Sequence, residues 1–169
     1  TGSKSYCLVE KNNKTYLWEP FTDESNKIYQ IKRNLYKSIY GNKIIFEEIN
    51  LDLEIAFQYG WYNSEKFGWI KKSVVSNLSK EKLSVELLDG IQNILPSGVD
   101  YAFQSEYSNL LDAYKKNELL PESKLGLFML SSIPVDKAEP SEALKANTVW
   151  SYGLDNKTKV LISNNQIEN

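Results

Sequence analysis

The sequence has no histidine and a single cysteine, Cys7. Without histidine there is no Ser-His-Asp or Cys-His catalytic pair, and no imidazole ligand for zinc or iron. One cysteine excludes an intrachain disulfide and a multi-cysteine metal site. No run of 18 apolar residues occurs that could cross a bilayer as a helix. An excess of one charge is missing too: 20 Lys plus Arg stand against 22 Asp plus Glu, a net charge of −2. Counterion release therefore supplies no drive toward nucleic acid or an anionic membrane. Of the basic residues only Arg33 is an arginine. Glycines are few and scattered: Gly41, Gly60, Gly68, Gly90 and Gly98 are isolated, so each reads as a turn or bulge and none builds a phosphate-cradling loop. No cofactor site and no metal site emerge from these residues. Thr1-Gly2-Ser3 reads as a cloning remnant, and no cationic-then-apolar leader follows it. Compartment stays open.

What is present is aromatic and strand-like. The 169 residues are 41% hydrophobic and 12% aromatic, with 11 Tyr, 6 Phe and 4 Trp, enough for one core of the kind β-branched and aromatic residues favour. The clearest pattern runs from Leu51 to Trp61. Leu51, Leu53, Ile55, Phe57, Tyr59 and Trp61 alternate with Asp52, Glu54, Ala56, Gln58 and Gly60. Period two predicts a half-buried strand, since successive side chains leave opposite faces of the pleat. Ser5 to Val9 and Thr15 to Trp18 flank the polar turn Lys11-Asn12-Asn13-Lys14 and predict a hairpin.

Shorter strands are predicted over Lys27–Ile31, Asn34–Tyr40, Lys43–Ile49, Phe67–Val75, Lys82–Leu88, Leu125–Ser131, Thr148–Tyr152 and Lys159–Ser163. Asp155-Asn156-Lys157 has hairpin chemistry between the last two. One stretch reads two ways. Phe103, Tyr107, Leu110, Leu111 and Tyr114 have helical spacing, yet Leu110 to Leu120 also reads as a hairpin arm turned at Pro121-Glu122-Ser123-Lys124. A short helix or loop is placed up to Ser108 and a strand after it. Pro134 to Leu144 is a loop, with one helical turn at Ser141–Lys145. The expected fold is all-β, an antiparallel β-sandwich with at most one or two short helices, in a single domain over residues 4–169.

Chemistry has few carriers left. Glu47, Glu48, Asp52, Glu54 and Asp89 lie on or beside strands, and two acids on facing strands are the minimum for a glycosidase. The alternation at Asp52 and Glu54 instead places such acids at solvated outward positions. Cys7 lies in a strand with nothing nearby to lower its pKa, so it reads as a buried, inert thiol. Trp61, Tyr62, Phe67 and Trp69 cluster either side of Asn63-Ser64-Glu65-Lys66. An exposed tryptophan can stack on the C–H face of a sugar or anchor a protein partner. Trp69, Tyr62 and Trp61 are therefore the candidate ligand-binding residues, although Trp61, Trp18 and Trp150 sit on predicted strands whose default place for them is the core. No catalytic residue is named.

Several segments, taken in order, carry a family resemblance. Lys14-Thr15-Tyr16-Leu17-Trp18-Glu19-Pro20-Phe21 is followed by Tyr40-Gly41-Asn42, Ile45-Phe46-Glu47-Glu48 and the long strand ending at Trp61. Lys66-Phe67-Gly68-Trp69-Ile70-Lys71-Lys72-Ser73, Ser76-Asn77-Leu78-Ser79 and Leu83 to Leu88 come next, and Ser108-Asn109-Leu110 to Leu130 fits as a strand and hairpin. The series resembles the N-terminal β-supersandwich domain, galactose-mutarotase-like in fold, of cellobiose- and chitobiose-phosphorylase-like glycan enzymes. The resemblance implies a supersandwich-like domain, incomplete at this length, excised from a larger bacterial protein. It also implies that the chain is a module and that catalysis belongs to a separate (α/α)₆-barrel, whose motifs do not occur here. Its expected partners are that catalytic domain of the same parent chain, an oligosaccharide, and a second copy paired through an open sheet edge. No nucleic acid and no membrane is expected as partner. The alternative is a stand-alone protein-binding domain such as a bacterial toxin-immunity protein, which binds through an aromatic-studded face. Whether the gene continues for hundreds of residues past Asn169 separates the two.

Overall fold

In a computed structural model, residues 2–132, 145–153 and 158–162 are described. They form ten strands and three short helices. The strands are β1 (Gly2–Lys11), β2 (Lys14–Trp18), β3 (Ile31–Lys37), β4 (Lys43–Asn50), β5 (Ile55–Ser64), β6 (Gly68–Asn77), β7 (Ser84–Gln92), β8 (Lys115–Leu120), β9 (Leu125–Leu130) and β10 (Asn147–Val149). The helices are α1 (Asp23–Ile28), α2 (Tyr101–Glu106) and α3 (Ser108–Tyr114), one more than the sequence reading allowed. The fold is all-β and sandwich-like. Two compact units divide it, residues 3–90 and residues 91–169 with 1–2. Gly2 and Ser3, read as a remnant, open β1.

The first unit holds two sheets, ordered β2-β1-β7 and β3-β4-β5-β6. The β1–β2 hairpin turns at Asn12 and Asn13 with φ of 53° and 59°. Paired left-handed residues match the twist of the strands they join, and asparagine tolerates them well. Cys7, Val9 and Trp18 from the smaller sheet pack with Leu53, Ile55 and Phe57 from β5 and the turn before it. Tyr16, Tyr59, Val75 and Val85 close the edges of this cluster. The odd residues of β5 thus point between the sheets, as the alternation predicted.

Two elements of this unit depart from the sequence reading. Residues 51–54 are a turn, with β5 starting at Ile55. Glu54 takes a φ of 53°, and the Asn50 carboxamide accepts from Leu53 N–H at 3.0 Å, which closes the turn. Leu51 is accordingly 51% exposed. The strand expected over Lys27–Ile31 is instead the last two residues of α1 and the link into β3, which begins at Ile31. Thr22 caps that helix through its hydroxyl, Asp23 and Glu24 occupy the first turn, and Lys27 the last, an arrangement that complements the helix dipole.

In the second unit, β8, β9 and β10 form a sheet in the order β10-β9-β8. Leu120 pairs with Leu125, so the hairpin turns where Pro121 to Lys124 predicted it. The strand placed after Ser108 is instead helical as far as Tyr114, as the spacing of Leu110, Leu111 and Tyr114 allows, and β8 begins only at Lys115. Asp100 caps α2 by accepting from Phe103 N–H at 2.8 Å. Val99, Leu111 and Leu130 form a small core with Leu95, Phe103 and Tyr114 against it. Residues 158–162 are not in a strand. The loop and helical turn expected from Pro134 to Leu144, and the turn at Asp155 to Lys157, lie outside the described residues. Among the described residues no helix is long and apolar enough to cross a membrane.

Candidate functional site: an aromatic groove at the end of β5 and β6

The register of β5 and β6 decides which aromatics meet. Trp61 pairs with Lys71, and Asn63 with Trp69. Residues two apart on a strand share a face, and directly paired residues share one too. Trp61, Asn63, Trp69 and Lys71 therefore lie on one face, the same face that carries Phe57 and Tyr59 into the core. That face continues past the core cluster. There Trp61 is half-buried and Trp69 is 73% exposed. The hairpin between them is short: Gly68 takes a φ of 68°, open to glycine without strain, and Ser64 Oγ accepts from Phe67 N–H at 3.2 Å.

Trp61 and Trp69 line an open groove of about 260 Å³. Ile44, the cross-strand partner of Trp61, also lines it. Lys37, Asn42, Lys43 and Asn63 supply polar groups, and Gly41 bends the β3–β4 turn at a φ of 70°. Its walls contain no carboxylate among the described residues.

Tyr62 is not in this groove. One residue on from Trp61, it leaves β5 by the opposite face and folds back over Gly60. A Cβ on Gly60 would stand 2.9 Å from the Tyr62 ring and 3.2 Å from Ile45 Cγ1. The Lys43 ammonium lies over the same ring, 5.5 Å from its centroid. Trp18 is fully buried and Trp150, in the second unit, is 47% exposed. Of the three candidates, then, Trp61 and Trp69 come together and Tyr62 does not join them. Lys37, Asn42 and Asn63 escaped the sequence reading. Once the turn at residues 65–67 fixes the register, alternation places Asn63 on the face of Trp61.

Asp52, Glu54 and Asp89 are exposed, as expected of outward acids, whereas Glu47 and Glu48 are buried. Glu48 is fully buried between the sheets. It accepts from Trp18 Nε1–H at 2.9 Å, Phe21 N–H at 2.8 Å and Arg33 Nε–H at 2.6 Å. Glu47, 8% exposed, lies on the outer face, where it accepts from Asn34, Tyr36 and Gln58. The Gln58 and Asn34 amides, and then the Tyr36 hydroxyl, hold its carboxyl below the ordinary value against the opposing effect of burial. Because the two glutamates are consecutive on β4, they leave on opposite faces and cannot flank one glycosidic bond. Asp52 accepts from Gln30 N–H at 2.7 Å, and Glu54 pairs with Lys11 at 2.8 Å. Asp89 accepts from Ser5 Oγ–H at 2.6 Å and from Lys71 Nζ at 2.5 Å. Cys7 is buried beside this group. Burial first, and then the charge of Asp89, push its thiol up to about 12. Among the described residues no cluster of three acids or thiols could hold a metal ion.

No protein-family model matches the chain, and no curated protein matches it. The groove's own chemistry must carry the functional reading.

Proposed function

We propose that this chain is a carbohydrate-associated β-sandwich module of a larger glycan-processing protein, and that it contacts glycan at the groove of Trp61 and Trp69. The observation that carries the reading is the pairing of a 73% exposed tryptophan with a second, half-buried one on a single sheet face. An indole outside the core offers a flat apolar surface that suits the C–H face of a pyranose. The carboxamides of Asn42 and Asn63 beside it can both donate to and accept from sugar hydroxyls.

The module reading also includes docking on a catalytic domain of the same parent chain, in line with the resemblance to the phosphorylase-like enzymes. In this reading the groove delivers or positions glycan and the chemistry occurs elsewhere. Calorimetric titration with a panel of oligosaccharides tests it. Binding that disappears in Trp69→Ala, with the variant still folded by circular dichroism, supports the reading. Silence with every oligosaccharide removes its glycan half.

A second reading, a protein-binding domain, has one observation in its favour. Tyr36, Ile70 and Val74 on the outer face of the same sheet are 49%, 39% and 39% exposed. Aromatic and aliphatic side chains gathered on one face suit a protein partner. Loss of partner binding in Tyr36→Ala, but not in Trp69→Ala, would favour it over the glycan reading.

A further inference from the structure

We infer that the saccharide this groove takes carries a carboxylate, as a hexuronic acid unit does, and that Lys37 meets it; the inference rests on the glycan reading of the groove. Register sets out a single row across the sheet. Lys37 pairs with Ile44, Ile44 with Trp61, and Trp61 with Lys71. A lysine stands at each end of the row, but the two have different fates. Lys71 has a side chain only 6% exposed, and its ammonium is taken by Asp89 Oδ1 at 2.5 Å and Gly90 O at 3.1 Å. Lys37 is exposed and has no ionic partner among the described residues. Lys43, the other cation at the rim, leans over Tyr62 on the opposite face.

Of the two lysines that line the groove, Lys37 alone has neither an ionic nor an aromatic partner among the described residues, and no carboxylate lines the groove. From Trp61 to Lys37 is two inter-strand spacings, roughly 9–10 Å, within reach of a lysine over a sugar stacked on the indole. A lone ammonium balances one negative charge. A uronate carries that charge on the pyranose ring itself, so stacking on tryptophan and pairing with lysine are satisfied by one residue of the glycan. A phosphate dianion would leave charge uncompensated here, since the groove offers no arginine fork to share it.

The test uses the full chain with trigalacturonate and triglucuronate, each beside its carboxyl-reduced neutral counterpart, by isothermal titration calorimetry. The expected result is that a uronate binds about threefold to tenfold tighter than its reduced counterpart at low salt, with the gap closing as salt screens the pair. Lys37→Gln should erase the gap by bringing the uronate down to its reduced counterpart, whereas Lys43→Gln should keep it. Equal binding of both members of each pair overturns the inference while the glycan reading stands. Binding of neither overturns both. A gap that survives Lys37→Gln, or a sulfated trisaccharide that binds tighter than the uronates, also overturns it.

Discussion

Trp18 donates its indole N–H to Glu48 across the interior of the first unit, at 2.9 Å and with both side chains fully buried. The same carboxylate accepts from Phe21 N–H and Arg33 Nε–H, so one anion ties β2, the loop before α1 and β3 to β4. Arg33 Nη2 also donates to Thr22 O at 2.6 Å, which fixes the chain as it enters α1. The chain's one arginine serves a site where a planar, always-charged group with several donors suits better than lysine.

Glu48→Ala leaves the buried Trp18 indole N–H, the Phe21 N–H and the part-exposed Arg33 guanidinium without their acceptor. A buried donor left without its acceptor costs about 1–3 kcal/mol, while solvent relieves the part-exposed guanidinium, so a loss of about 3–4 kcal/mol is expected in urea unfolding. Glu48→Gln retains an acceptor but turns an amine toward one of the donors, so a smaller loss of about 2 kcal/mol is expected. Equal stability of the alanine variant and the parent would contradict this role.

Trp18 and Trp69 should separate cleanly. Trp18→Ala empties the core and should cost about 3–5 kcal/mol. Trp69→Ala changes a 73% exposed side chain and should stay within about 0.5 kcal/mol of the parent. Thermal unfolding of the two variants checks this directly.

Glu47 gives the fold a pH dependence of known sign. Its carboxyl titrates below its ordinary 4.5 in the folded chain, chiefly through the Gln58 and Asn34 amides. A carboxyl lowered by folding contributes stability that is fully present above the unfolded value, and that stability is lost as pH falls through the folded one. Acid unfolding of the parent should therefore steepen below about pH 4.5. Glu47→Gln should show a shallower dependence in that window, and the same slope in both would contradict the assignment.

Cys7 should not react in the folded protein. It is fully buried and its thiol is pushed up to about 12, so at pH 8 the thiolate that alkylating reagents need is scarce and screened from them. Iodoacetamide labelling followed by mass spectrometry should be slow in buffer and rapid in urea. Fast labelling in buffer would show that β1 opens.

Much of this was legible in the residues. The comb from Ile55 to Trp61 fixed the central strand and its inward face, and Asn12-Asn13 fixed the first hairpin. Period alone failed at Leu51 to Glu54, because the alternation ran on through a turn that only the left-handed Glu54 and the Asn50 side chain reveal. It failed again at Lys27, where the Thr22 cap and the acids after it outweighed apolar residues placed like a strand. Glu48 looked like any outward acid, since burial of a carboxylate depends on donors from β2, β3 and the loop at Phe21, none of them near it in sequence. Tyr62 adjoined Trp61 in the chain, and that adjacency is what puts it on the other face.

A proton–nitrogen NMR spectrum of the four tryptophan indoles, followed during titration with oligosaccharide, reads the groove directly. Signals would be assigned by Trp18→Phe, Trp61→Phe, Trp69→Phe and Trp150→Phe. The Trp61 and Trp69 signals should shift together and saturably, while that of Trp18, held by Glu48 in the core, stays in place. No shift in either groove indole, or saturable shifts confined to Trp150, would contradict glycan contact at the groove.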